Sequence, residues 1–154
     1  MYELRLKENM AALTQRLFEL YGDRWDFYAH VSSLEEIMRR AYGKRSDVLK
    51  ECDERVLSDE WYSDRRTVGM MLYVDLFSKD LKSLVDKIPY FNSLGVNYVH
   101  LMPLFDCPKK ENDGGYAISS YGKVQKKLGS IEDLKEVARE FHKNGIRLVL
   151  DFVF

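Results

Sequence analysis

Net charge and long apolar segments are two features that the sequence lacks. Lys and Arg number 24 against 25 Asp and Glu, which leaves a formal net charge of -1 at pH 7. Nucleic acids and anionic membranes attract proteins through basic surfaces, so neither is expected as a partner. No stretch approaches the roughly 20 apolar residues of a membrane-spanning helix. Residues 1–8 carry charges where a secretory signal peptide needs an apolar core.

Cysteine is scarce as well. Cys52 and Cys107 lie far apart in the sequence and have no further ligand residues at metal-binding spacing. We therefore expect no disulfide framework, no metal site and no cofactor. Two unpaired thiols suit a reducing compartment, so the predicted localisation is cytoplasmic. The content of 45% hydrophobic and 32% charged residues is typical of a globular protein with a core.

The apolar periodicity changes at about residue 66. In residues 1–66, apolar side chains recur at helical spacing in three stripes that end near Gly22, Gly43 and Val56. Ser46 is placed to cap the third helix. This region is predicted to be a small all-α domain whose charged residues form solvated helix faces.

Residues 67–154 alternate between dense apolar runs and amphipathic segments. The runs predict strands at 70–77, 96–104 and 146–154. The segments predict a helix at 80–94, with a kink or split at Pro89, and a second helix from Ser130 to Asn144. This order indicates a parallel α/β sheet buried on both faces. An open doubly wound sheet and a closed eight-stranded barrel both fit it.

Functional side chains of parallel α/β folds follow the carboxyl ends of strands, which directs attention to Asp75, His100 and Asp151. The long connection 105–129 lies at the same end. The turn 77–80 after the first strand contains no glycine, so a dinucleotide-binding loop is excluded.

The tetrapeptide Asp113-Gly114-Gly115-Tyr116 has two interpretations. The first is a tight turn, since glycine supplies positive φ and aspartate tolerates turn positions. The second is a sugar site in which the glycines leave room for the ligand. Tyr116 would then stack on a sugar ring and Asp113 would accept hydrogen bonds from hydroxyls. Sequence context decides between the two.

Taken in order, these motifs resemble those of amylosucrases. The matching segments are Tyr73–Phe77, Lys87–Phe91, Leu94–Val96, His100–Leu104, Cys107–Pro108, Asp113–Tyr121, Leu128–Ser130, Asp133–Leu134 and Asp151–Phe154. The last of them is similar to the start of the first signature region of the α-amylase superfamily. Residues 42–45 and 61–64 resemble, more loosely, the helical domain that precedes the barrel.

The resemblance implies the fold class and the domains. Residues 67–154 would be the start of a (β/α)8 TIM barrel, with about three strands and two helices, and would form the first part of a catalytic domain. Residues 1–66 would be the small all-α N-terminal domain in front of it.

The resemblance also implies an enzyme of carbohydrate metabolism. It would cleave sucrose, form a covalent glucosyl-enzyme, and pass glucose to an α-1,4-glucan or to water. Asp113 would contact the hydroxyls of the transferred glucose, and Tyr116 would stack on its ring. Asp151 would support the catalytic centre. His100 and Asp75 also match family positions, but a histidine at a strand end is often a satisfied structural group.

The catalytic pair itself is expected elsewhere. Retaining enzymes use two carboxylates about 5 Å apart, and in the family both lie on later strands, beyond Phe154. We therefore assign no catalytic residue in this chain and expect a truncated barrel that does not turn over sucrose alone. Its third strand would present an unpaired edge, which predicts marginal stability or self-association. A sucrose hydrolase, another α-glucosidase of the superfamily and a non-catalytic sugar-binding remnant are the alternatives.

Overall fold

The computed structural model describes residues 2–56 and 61–153, with the backbone alone for residues 55 and 56. The chain forms two compact units, residues 1–60 and residues 61–154. The short 3₁₀-helix Trp61–Ser63 belongs to the second unit, and the domain boundary expected at residue 66 stays a prediction. No helix within the described ranges is long and apolar enough to cross a membrane.

Three helices form the first unit at the positions that the stripes predict. They are α1 (Tyr2–Tyr21), α2 (Phe27–Gly43) and α3 (Asp47–Val56). The rings of Phe18 and Phe27 meet edge to face across α1 and α2, with centroids 5.4 Å apart. The Ser46 hydroxyl accepts the N–H of Leu49 at 3.4 Å, which confirms the predicted cap of α3.

The second unit alternates strands and helices. After the 3₁₀-helix come β1 (Gly69–Leu72), α4 (Val74–Phe77), α5 (Leu81–Val85), α6 (Ile88–Ser93), β2 (Tyr98–Leu101), β3 (Phe105–Asp106), β4 (Ser120–Val124), α7 (Ile131–Lys143) and β5 (Arg147–Leu150). Strands β1, β2 and β5 pair in parallel in that order, with Leu72, Leu101 and Leu150 aligned across the sheet. The predicted parallel β/α arrangement is confirmed.

The first strand is shorter than predicted. The expected strand 70–77 ends at Leu72, and its second half is the one-turn helix α4. Within that turn Val74 is 2% exposed and Leu76 is 84% exposed. The sequence does not predict this turn of helix, because apolar periodicity cannot distinguish a strand from a helix in a short continuous apolar segment.

The predicted helix 80–94 is split in two. Asp80 caps α5 by accepting the N–H of Ser83 at 2.8 Å. Pro89 occupies the first turn of α6, where a missing N–H costs no intrahelical hydrogen bond. The helix predicted after Ser130 is α7, and its capping box is complete: the Ser130 hydroxyl accepts the N–H of Asp133, and the Asp133 carboxylate accepts the N–H of Ser130.

The helices cover one face of the sheet, and there the core forms. Leu72, Val99 and Leu101 are buried with side chains from α5, α6 and α7. The opposite face carries Met71, which is 66% exposed, and His100, whose side chain is 25% exposed. The prediction of a sheet buried on both faces is therefore wrong for the described residues. In a (β/α)8 barrel this second face of the sheet points into the barrel interior.

The long connection after β2 is not an irregular loop. Strands β3 and β4 form a short antiparallel pair with an irregular register between Phe105 and Asp106. The Ser119 N–H donates to the carbonyl of Asp106 at 2.8 Å, and the Gln125 N–H donates to that of Leu104 at 3.0 Å. These bonds return the chain to the end of β2, so residues 107–119 project from the carboxyl edge of the parallel sheet.

Candidate functional site

The site is built where the three parallel strands end. The aligned strand ends Leu72 and Leu150 are followed directly by Tyr73 and Asp151. His100 is paired in register with Val149, so Asp151 lies two residues further along the neighbouring strand and on the same face. The polar side chains of His100 and Asp151 therefore lie together on the open face of the sheet, at its carboxyl edge.

His100 and Asp151 are in direct contact. Nε2 of His100 lies 2.8 Å from Oδ1 of Asp151, and both side chains are about three-quarters or more buried. The second carboxylate oxygen, Oδ2 of Asp151, is shielded from solvent and has no hydrogen-bond partner in the described part of the chain. A buried carboxylate oxygen in this state is an acceptor that a further donor can satisfy.

Tyr116 lies next to the same carboxylate. Burial of its phenol raises the pKa of Tyr116 above the usual 10.0, and the neighbouring carboxylate of Asp151 raises it further. Smaller contributions come from Tyr73 and from the carboxylate of Asp113. Tyr73, Asp113 and Asp151 therefore all act electrostatically on Tyr116, and these four residues, with His100 in contact with Asp151, define the candidate site.

The motif loop has the backbone that its sequence requires. Asp113, Gly114 and Gly115 all have positive φ, at 48°, 68° and 100°. A Cβ on Gly115 would lie 3.0 Å from the Cβ of Pro103, so glycine here allows close packing of the loop on the end of β2. The tight-turn interpretation is thus confirmed for the backbone, and Tyr116, which follows the turn, lies close enough to Asp151 for that carboxylate to raise its pKa.

Tyr121, in strand β4, holds the segment that follows β5. The Tyr121 hydroxyl donates to the carbonyl of Val153 at 2.7 Å and accepts the Val153 N–H at 2.6 Å. Its ring stacks on Phe152 with centroids 4.5 Å apart. Because Asp151 precedes this segment, Tyr121 fixes the backbone that positions the carboxylate.

Asp75 lies apart from this group. Its carboxylate pairs with Lys127 at 2.5 Å, which links α4 to the chain after β4. The pair borders a cavity of 250 Å³ that is also lined by Tyr73, Pro103 and Gly114. Of the residues singled out from the sequence, His100 contacts Asp151 and Tyr116 lies beside that carboxylate, whereas the exposed Asp113 acts on Tyr116 only through its charge and Asp75 joins a neighbouring ion pair.

Tyr73 borders the candidate site, and the sequence analysis did not single it out. The predicted strand 70–77 directed attention to Asp75 near its end, whereas β1 ends at Leu72, directly before Tyr73. A strand end at Leu72 would have put Tyr73 among the carboxyl-edge candidates at once. For metals, the described side chains form no group of three or more His, Cys, Asp or Glu residues that could hold an ion.

Comparison with known proteins identifies the family. The model of the α-amylase catalytic domain matches residues 41–154, which is most of the chain. The chain belongs to the α-amylase family. The β-α-β-α-β order of the second unit is therefore the start of the family's (β/α)8 barrel, preceded by a helical region, as predicted.

Relatives within the α-amylase family include glucosidases. An oligo-1,6-glucosidase of Heyndrickxia coagulans is 36% identical over 74 residues, which are 48% of this chain and 13% of the enzyme. A salivary alpha-glucosidase of Anopheles gambiae is 39% identical over 74 residues, 48% of this chain and 12% of that protein. The chain thus matches about an eighth of the length of these relatives.

Solved structures of α-amylase family members agree with this assignment. A mutant of the trehalulose synthase MutB, in complex with sucrose, has a TM-score of 0.53 and 30% identity over 62% of this chain and 18% of the enzyme. The trehalose-6-phosphate hydrolase of Bacillus licheniformis, as a mutant complex, has a TM-score of 0.51 and 26% identity over 58% of this chain and 17% of that enzyme.

Proposed function

We propose that this chain supplies part of the glucosyl-binding pocket of an enzyme that cleaves an α-glucosidic bond and retains the configuration of the sugar. Tyr116 stacks on the ring of the bound glucosyl unit, and Asp113 accepts hydrogen bonds from its hydroxyls. Asp151 stands beside them with His100 holding one of its oxygens. The nucleophile and the general acid/base act from other strands of the complete barrel.

The observation that carries the proposal is the state of Asp151. One carboxylate oxygen is held by His100 at 2.8 Å, and the other is shielded and unpaired among the described residues. A sugar hydroxyl is a suitable donor for such an oxygen. The half-buried phenol of Tyr116 next to it offers the apolar ring face that sugar C–H groups pack against. An aromatic ring can pack on one face of a sugar while a carboxylate beside it accepts hydrogen bonds from the sugar hydroxyls.

For the whole enzyme we propose sucrose as the substrate, with transfer of glucose to an α-1,4-glucan or to water. Two observations support this choice. The ordered motifs from Tyr73 to Phe154 resemble amylosucrase, and the MutB complex named above contains sucrose. The second candidate is hydrolysis of α-1,6-linked glucosides, which the similarity to the oligo-1,6-glucosidase of Heyndrickxia coagulans favours.

The test is equilibrium sugar binding to the 154-residue chain, by saturation-transfer NMR with sucrose, isomaltose and lactose. Sucrose is expected to show the strongest transfer, through its glucosyl protons, and lactose, a β-galactoside, the weakest. Asp151→Asn and Tyr116→Ala should each reduce transfer from sucrose, since one loses the charged acceptor and the other the stacking ring. Tyr62→Ala, which removes an exposed tyrosine from the same unit, is the matched control and should change nothing.

Two results would contradict parts of this proposal. Equal transfer from lactose and sucrose would reject a glucosyl-selective pocket. Stronger transfer from isomaltose than from sucrose, lost in Asp151→Asn, would keep the pocket and shift the substrate to α-1,6-linked glucosides.

A further inference from the structure

The helical unit contains a cavity that the proposed sugar site does not use. It has a volume of 590 Å³ and lies among α1, the end of α2 and α3. That volume is within the range of roughly 300–1,000 Å³ typical of small-molecule pockets. Its lining combines two stacked tyrosines with four cationic side chains, a composition that a helix-packing defect would not require.

Cations predominate around this cavity. Arg5, Lys44, Arg45 and Lys50 line it, against the carboxylates of Asp53 and Glu54. Arg45 forms a two-pronged pair with Asp53, at 2.8 Å and 2.9 Å, and Lys50 contacts the exposed Asp47 at 3.2 Å. Within the described ranges, no acceptor contacts the guanidinium of Arg5 or the ammonium of Lys44.

The two cations without an acceptor come from different helices that border the cavity. Arg5 is on the first turns of α1, and Lys44 directly follows α2. Like charges placed around one cavity repel each other, and an anion between them removes that repulsion. Guanidinium and ammonium groups together are the usual ligands of phosphate, the guanidinium through paired N–H bonds and the ammonium as a point charge.

The tyrosines provide a rigid, partly apolar wall. The rings of Tyr2 and Tyr42 stack with centroids 4.2 Å apart and planes 11° from parallel. The ammonium of Lys50 stands 5.5 Å from the centroid of Tyr42. The hydroxyl oxygen of Tyr2 is shielded from solvent and has no hydrogen-bond partner among residues that the structure describes. Such a hydroxyl can donate to a ligand oxygen.

From this cavity, its excess of cations and its unpaired tyrosine hydroxyl, we propose that the helical unit binds a phosphate-bearing small molecule. Arg5 and Lys44 hold the phosphate, and Arg45, already oriented by Asp53, borders it. The tyrosine pair forms the wall against which the rest of the molecule packs. The inference stands independently of the sugar site, because all of its residues lie in the first unit.

The experiment is isothermal titration of the full chain with inorganic phosphate, glucose 6-phosphate and glucose. Both phosphate compounds are expected to bind, more weakly as salt concentration rises, because exposed charges are screened. Uncharged glucose reports the sugar site alone. Tighter binding of glucose 6-phosphate than of phosphate, retained in Tyr116→Ala, would identify a phosphate ester as the ligand of the cavity, and equal affinities would identify free phosphate.

The decisive variant is Arg5→Gln combined with Lys44→Gln, which should weaken phosphate binding at least about ten-fold. The control is Lys7→Gln combined with Arg40→Gln, which removes the same charge from α1 and α2 outside the cavity. Helical circular dichroism should be the same for both variants. Absence of binding at about 10 mM phosphate and ester, or equal weakening by the two variants, would overturn the proposal.

Discussion

Tyr116 is the residue whose titration reports most directly on the candidate site. The pKa of its phenol is raised mainly by burial and then by the carboxylate of Asp151. The folded protein therefore holds the phenolic proton more tightly than the unfolded chain does. The resulting stabilisation is fully present below the usual pKa of 10.0 and is lost as pH rises through the higher folded-state value.

Replacement of Asp151 by Asn should lower the pKa of Tyr116 towards 10.0 without reaching it, because the contribution of burial remains. The measurement is an NMR titration of tyrosine labelled at Cζ, with Tyr116→Phe to assign its signal. Tyr62, exposed in the same unit, provides an internal comparison in every spectrum. An unchanged midpoint for Tyr116 in Asp151→Asn would show that the carboxylate does not act on the phenol.

At the scale of the element, α7 shows how a local sequence can specify a boundary. Ser130 and Asp133 satisfy each other's backbone N–H groups at the start of the helix. Ser130→Ala removes the hydroxyl that accepts the N–H of Asp133, and it should lower the free energy of unfolding by about 1 kcal/mol. Urea denaturation measures the change. Lys135→Ala, at an exposed position in the same helix, should stay within about 0.5 kcal/mol, and an equal loss there would reject the cap as the cause.

The same cap has a pH dependence. Hydrogen bonds from the Ser130 hydroxyl and then from its backbone N–H lower the pKa of Asp133 below the usual 3.8. A lowered folded-state pKa stabilises the protein above the unfolded value, and this stability is lost as pH falls through the folded value. The difference in unfolding free energy between wild type and Ser130→Ala should therefore be larger at about pH 6 than at about pH 3. Equal differences would contradict this.

Elements with such end signals could be predicted from the sequence, and those without them could not. The ends of α7 follow from Ser130 and from Asn144-Gly145, and the split at Pro89 follows from its missing N–H. The turn α4 has no comparable signal. It lies in an apolar run where burial decides between strand and helix, and burial depends on the helices packed around it.

At the scale of the molecule, the register between strands β2 and β5 determines which side chains meet in the candidate site. His100 and Asp151 are 51 residues apart, and their contact arises because β2 and β5 align His100 with Val149. The sequence indicates that both follow or end parallel strands, which places them on one edge of the sheet. It cannot give the register, and therefore could not show whether His100 supports Asp151 or is satisfied elsewhere.

The open face of the sheet has a consequence for the chain in solution. Met71 is 66% exposed there, and Phe152 beyond the end of β5 is 62% exposed, whereas the helix-covered face buries Leu72 and Leu101. Exposed apolar patches of this kind promote association. We expect the 154-residue chain to self-associate with rising concentration, and Met71→Glu to shift the equilibrium towards monomer, because a carboxylate is costly to desolvate in an apolar contact.

Sedimentation velocity over a range of protein concentrations measures this equilibrium. The matched control is Leu94→Glu, which places the same charge at an exposed leucine after α6. If both variants dissociate the chain equally, net charge rather than the open sheet face governs association. If wild type sediments as an 18.2 kDa monomer at every concentration, the exposed face is not an association surface. Its exposure would then be compatible with a stable, isolated α/β unit.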